Sequence, residues 1–93
     1  MKYMTDAHLA GLAKELRGKG IDCETVHKLM LGHEDSRESI RDPEIVRFLR
    51  TKKGSITLIT FDSELAEYCA LDGTPCIRIQ DVVADFIRQS IGN

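Results

Sequence analysis

The sequence predicts an α/β fold built on a four-stranded parallel sheet, and three observations carry the prediction. Strand-like apolar runs alternate with helical stripes along the whole chain, turn residues separate each from the next, and Ile56-Thr57-Leu58-Ile59-Thr60 has the β-branched, continuously apolar character of a central strand. The order β-α-β-α-β-α-β-α, combined with the right-handed crossover preference, gives a parallel sheet between two layers of helices. With 93 residues, 42% of them hydrophobic and 30% charged, the chain has the length and composition of one globular domain spanning residues 1–93.

Each element follows from local pattern. Met1-Lys2-Tyr3-Met4-Thr5 reads as a short first strand, and Leu9, Leu12, Ala13 and Leu16 then recur at helical spacing until Gly18-Lys19-Gly20 ends the helix. Ile21 to Val26 alternates apolar with polar residues, which places this second strand at an edge of the sheet. From His27 to Arg41 the pattern is weak, compatible with a functional loop or with a short helix over 36–41. Asp42-Pro43-Glu44 is a helix start, with Ile45, Phe48 and Leu49 as the buried stripe and Lys52-Lys53-Gly54 as the stop. After the strand at 56–60, Asp62 opens another helix whose core side carries Leu65, Tyr68 and Cys69. Asp72-Gly73-Thr74 turns the chain into a last strand, Pro75 to Ile79, and Val83, Phe86, Ile87 and Ile91 form the final helical stripe. With the alternating second strand at an edge, the expected strand order is 2-1-3-4.

Composition narrows the function. No apolar run approaches the roughly 18 residues of a membrane span, and the N-terminus enters a strand pattern without a signal-peptide core, so a cytoplasmic protein with no membrane partner is expected. Cys23, Cys69 and Cys76 lack the spacing of a zinc site and are odd in number, which reads as small core residues. A net charge of −2 excludes binding of nucleic acid by bulk basic charge. Contact with nucleic acid must then be local or bridged by a metal.

The informative residues are acids. Asp6 follows the first strand, Asp62 follows the third after one intervening residue, and Asp42 begins the helix that leads into the third. Helices of a βαβ unit start at the edge where strands end, so all three carboxylates are expected at one edge, at the point where the chain reverses direction across the sheet. Taken singly, each aspartate fits a helix cap. Together they repel unless a cation intervenes, and a hard oxygen donor set suits Mg²⁺ or Mn²⁺, held directly or through water.

Met4-Thr5-Asp6-Ala7-His8-Leu9, the Leu12 to Leu16 helix followed by Gly20-Ile21-Asp22, Asp42-Pro43-Glu44-Ile45 and Ile59-Thr60-Phe61-Asp62-Ser63-Glu64-Leu65 occur in an order that resembles the short PIN-like nucleases, related to toxin ribonucleases and to Mut7-C domains. The last stretch is similar to the strand-T-x-D-x-[DE]-[FL] signature of that family. The resemblance implies a PIN-like fold in which Asp6, Asp42 and Asp62 are metal-binding and catalytic acids and Glu64 is a fourth metal-binding acid. It also implies a Mg²⁺- or Mn²⁺-dependent ribonuclease acting on single-stranded RNA, and leaves room for a cognate antitoxin and for a homodimer. Larger members carry a further acid after the second strand; Glu34, Asp35 and Glu38 are the acids of this chain in that region. The alternative is a catalytically inactive PIN-like domain with a binding or regulatory role. A phosphoacceptor receiver fits less well, because no acidic pair follows the first strand.

Arg37 and Arg41 precede Asp42 at the proposed edge and are the candidates for substrate phosphate. Arg47, Arg50, Lys52 and Lys53 fall in the far half of their helix, where they suit its carboxyl end. His8 reads as a solvated first-turn residue able to face the site, His27 and His33 as surface-loop residues, and Asp81 as a cap on an outer helix.

Overall fold

In the computed structural model, which describes residues 1–34 and 37–92, the run at 56–60 forms a strand, β3 (Ile56–Thr60), with every residue buried. It lies between β1 (Lys2–Thr5) and β4 (Cys76–Arg78), and β2 (Cys23–Thr25) pairs with the other side of β1. All pairings are parallel and the order is 2-1-3-4, with the alternating strand at an edge as expected. Both edge strands are only three residues long, shorter than the sequence pattern suggested, which limits the open hydrogen-bonding rim.

Among the described residues, five α-helices connect and flank the strands. A 3₁₀ turn at Ala7–Leu9 leads into α1 (Ala10–Gly18), which joins β1 to β2. Thr25 then caps α2 (Val26–Leu31) by accepting from the Lys28 amide, and Gly32, with φ of 81°, ends it in a left-handed conformation that glycine adopts without steric cost. α3 (Asp42–Thr51) returns the chain to β3, α4 (Ser63–Asp72) crosses to β4, and α5 (Ile79–Ile91) follows directly.

The main core lies between the sheet and α2, α3 and α4. Met4, Ile56 and Leu58 pack there with Val26, Ile45, Val46, Leu49, Leu65 and Cys69. Alternation along β3 turns Thr57 and Ile59 to the opposite face, where they too are buried. Cys23 and Cys69 are buried free thiols and Cys76 is half-buried, in keeping with small core residues. Among the described residues no helix is long and apolar enough to cross a membrane.

Four local expectations change. Over 36–41, where a loop or a short helix was expected, the described residues 37–41 form no helix; helix appears at Val26–Leu31, because Thr25 caps it as soon as β2 ends. Asp42 is the first residue inside α3, with Arg41 in the capping position, so it does not cap. Tyr68 is exposed, since Leu65 and Cys69 alone occupy the buried line of α4. The stripe of α5 is largely in solvent, with Phe86 70% exposed, and none of its residues joins the main core cluster.

Leu58 is fully buried at the middle of the central strand. Leu58→Ala should lower the unfolding free energy by roughly 2–5 kcal/mol through lost contacts and a residual cavity. Urea titration followed by circular dichroism checks this, and a loss below about 1 kcal/mol would contradict the packing assigned to β3.

Candidate functional site

Parallel register aligns Thr5 of β1 with Ile59 of β3, so the residues that follow these strands emerge side by side. From β1 the chain turns towards β2, and from β3 towards β4. This divergence leaves a crevice at the carboxyl ends of the strands. An open cleft of about 530 Å³ occupies it, lined among others by Asp6, His8, His27, Arg37, Asp42 and Asp62.

Two of the acids are linked through Thr60. Its side chain is wholly buried at the end of β3, where its hydroxyl donates to Asp6 Oδ2 and accepts from the Asp62 amide at 2.9 Å. The Phe61 amide also hydrogen-bonds the Asp6 carboxylate. Asp62 in turn caps α4, its Oδ1 accepting from the amides of Glu64 at 2.9 Å and Leu65 at 3.2 Å. Capping and lining the cleft are therefore compatible roles for this residue, because Oδ2 takes no part in the cap.

Electrostatics in the cleft oppose its own charge. Burial raises the Asp6 carboxyl above its ordinary range and the charge of Asp62 adds to this, against the lowering effects of the Thr60 hydrogen bond, His8 and the Phe61 amide. Asp42 is raised as well, first by burial and then by Asp62, Asp6 and Glu64. Asp6 and Asp42 thus both feel the neighbouring acids, the condition under which bound positive charge is favoured. Among the described residues, however, no group of three or more His, Cys, Asp or Glu side chains is placed to hold a metal ion. The donor set fits a hydrated cation, since Mg²⁺ commonly keeps several waters and takes only one or two carboxylates.

No family model matches this chain, and neither a curated protein nor a solved structure matches it. The PIN-like likeness rests on its motif residues alone. The chemistry of the cleft rests on the side chains that line it.

The other candidates divide around the cleft. Glu64 is exposed and borders a neighbouring groove with Glu67, Tyr68 and Leu71, touching the site only through its charge on Asp42. Arg37 lines the cleft, whereas Arg41 does not. Of the acids in the preceding loop, Asp35 lies outside the described residues, Glu34 is exposed, and Glu38 pairs with His33 at 3.6 Å. Arg50 pairs with Asp72 and the Lys52 ammonium lies 5.0 Å over the Phe48 ring, so these cations serve their own helix and its neighbour. Asp81 pairs with Arg78 at 2.9 Å instead of capping α5.

His27 is a correction to the sequence reading. It was expected in a surface loop, yet it is 6% exposed and lines the cleft, because α2 begins one residue earlier and carries it beneath the returning segment 37–41. Its Nε2 donates to the Glu38 carbonyl at 2.5 Å, and its buried Nδ1 has no hydrogen-bond partner among the described residues. Thr60 was missed as a positioning residue. The signal for it was present: a threonine closing an otherwise apolar central strand, two residues before a candidate acid.

Thr60→Val keeps shape but leaves the Asp62 amide and Asp6 Oδ2 without this partner. A loss of roughly 1–3 kcal/mol of stability in chemical denaturation is expected. The acids also set a pH dependence. Asp6 binds its proton more tightly in the folded state than in the unfolded chain, so its contribution to stability is full below the ordinary value of 3.8 and is lost as pH rises through the raised folded value. In chelator, the stability difference between Asp6→Asn and wild type should therefore move in favour of the variant as pH rises from about 3.8 towards neutrality. A difference that is flat across this range, or that moves towards wild type, would contradict the electrostatics of the cleft.

Proposed function

We propose that this chain is a Mg²⁺- or Mn²⁺-dependent ribonuclease of PIN-like type that hydrolyses phosphodiester bonds of single-stranded RNA. The observation that carries the proposal is the meeting of Asp6, Asp42 and Asp62 on the lining of one cleft at the switch point of the sheet. A bound divalent cation would supply charge neutralisation at the phosphodiester and activation of the attacking water.

The residues of the chain do the positioning. Asp6 is oriented by the Thr60 hydroxyl and the Phe61 amide, and Asp62 by the first amides of α4, so both carboxylates are held by rigid elements rather than by a loop. Asp42, inside the first turn of α3, adds the third negative group. Arg37 brings to the same lining a guanidinium, the side chain best suited to phosphate oxygens. Because the chain carries a net charge of −2, positive charge placed locally in the cleft is what would let a polyanion approach three carboxylates. By the resemblance to toxin ribonucleases, the reading extends to a toxin restrained by a cognate antitoxin.

A second reading, a PIN-like binding or regulatory domain without turnover, is favoured by one observation. Among the described residues no three ligating side chains close around a common point, so the cleft lacks a ready chelate.

Cleavage of single-stranded RNA by the purified protein with Mg²⁺ or Mn²⁺ separates the two readings. Asp62→Asn retains the capping oxygen and should leave thermal stability unchanged while reducing cleavage by at least about a hundredfold; chelation should abolish it. Cleavage that persists in chelator or in the variant excludes the proposed mechanism. No cleavage by wild type across varied RNAs and both metals would leave the binding domain as the better reading.

A further inference from the structure

Two of the three cysteines meet at the β4 edge of the sheet. Parallel register sets Cys76, the first residue of β4, opposite Leu58 of β3, so its side chain lies on the face of the sheet that α4 covers. Cys69 reaches that same face from α4 and is wholly buried. A hydrogen bond joins the two thiols, and the Thr74 amide fixes the turn between them by donating to the Cys69 carbonyl at 2.9 Å. This contact holds the Cys69 thiol below its ordinary range and, together with burial, raises that of Cys76.

The two sulfurs differ in access. Cys76 is half-buried and lines an open groove of about 480 Å³ with Ser63, Glu67, Thr74 and Arg78, whereas Cys69 does not line it and has no exposed surface. A reagent in the groove meets the first thiol and not the second. The remaining cysteine, Cys23, is buried on β2 at the opposite edge, with β1 and β3 between, about 14 Å away at the usual strand spacing and too far to pair. The odd count therefore resolves into one adjacent pair and one isolated thiol.

We propose that Cys69 and Cys76 are a reversible dithiol–disulfide pair whose oxidant is a low-molecular-weight disulfide, with Cys76 as the entry thiol. First, the Cys76 thiolate attacks one sulfur of the small disulfide; its S–S bond breaks, and one small thiolate leaves and takes up the proton that Cys76 released. A mixed disulfide remains on Cys76. The Cys69 thiolate then attacks Cys76 Sγ, the mixed bond breaks, and the second small thiolate leaves with the proton of Cys69. Two protein thiols are thus oxidised to one disulfide while the small disulfide is reduced to two thiols. The new bond closes a short loop between α4 and β4, which already pack together, so the native fold is retained on oxidation. A raised thiol at Cys76 holds little thiolate near neutral pH, so the exchange is slow and is best read at equilibrium. This inference does not rest on the proposed ribonuclease chemistry.

Incubating the full native chain to equilibrium in glutathione buffers of increasing oxidised fraction, followed by acid quench and alkylation in denaturant, tests it. The count of alkylatable thiols should fall from three to one, peptide mapping should place the disulfide between Cys69 and Cys76, and far-ultraviolet circular dichroism should not change. Excess dithiol reductant should restore all three. Cys69→Ala should instead stall with one glutathione attached to Cys76, and Cys76→Ser should keep both of its thiols reduced. Should either variant fail to fold, the thiol count and peptide map of wild type decide alone. Three alkylatable thiols at every buffer ratio overturn the proposal. So does a disulfide that includes Cys23 or joins two chains, oxidation that proceeds only with loss of the circular dichroism signal, or a folded Cys69→Ala protein that takes up no glutathione.

Discussion

The buried hydroxyl of Thr60 connects what would otherwise be two independent loops. It donates to Asp6, beyond β1, and accepts from the amide of Asp62, beyond β3, so the ends of two neighbouring strands are fastened to each other outside the ladder. A wholly buried hydroxyl is costly unless both its donor and its acceptor functions are used, and here both are. The consequence reaches along the chain. Asp62 is set where its other contacts start α4, α4 places Leu65 and Cys69 in the core, and Asp6 is held with its carboxylate against the cleft.

The same arrangement explains why the cleft is electrostatically uncomfortable. The fold spends hydrogen bonds on Asp6, yet burial outweighs them and its carboxyl remains raised; Asp42 is raised for the same leading reason, with the neighbouring acids adding to it. A structural role does not call for three carboxylates at one edge, since Asp42 caps nothing and Asp6 does not begin a helix with a side-chain cap. Acids raised by burial and by one another in a crevice are a recurring mark of a functional site. On the proposed chemistry, the repulsion among these acids is what a bound cation would relieve. His27, whose Nδ1 is buried on the same lining without a partner among the described residues, adds a polar atom that the three acids do not satisfy.

At the other end of the chain the constraint is one of surface. The faces of a four-stranded sheet with short edges need only limited cover, and α2, α3 and α4 close the main core without α5. A small domain that then carries a further amphipathic helix has more apolar side chain than its own interior can receive, which is how α5 comes to hold 13 residues with none buried. Gln80 donates to the Phe61 carbonyl, so the start of α5 borders the cleft while Phe86 and Ile91 lie farther along the helix.

What the sequence determined by itself is whatever depends on near neighbours in the chain. Alternating strand and helix patterns, the β-branched run at 56–60 and the polar edge strand at 21–26 were enough for the parallel sheet and its 2-1-3-4 order, because crossover handedness leaves few other ways to connect them. The same logic brought Asp6, Asp42 and Asp62 to one edge, since strand ends and helix starts share it. Tertiary structure decided the rest. Whether His27 is on the surface or buried depends on Glu38, eleven residues away, and whether Thr60 is a strand residue or a link between acids depends on Asp6, fifty-four residues away. Helical periodicity shows that α5 has an apolar face and says nothing of whether that face joins the core; that it does not is a property of the packed molecule that no local pattern records.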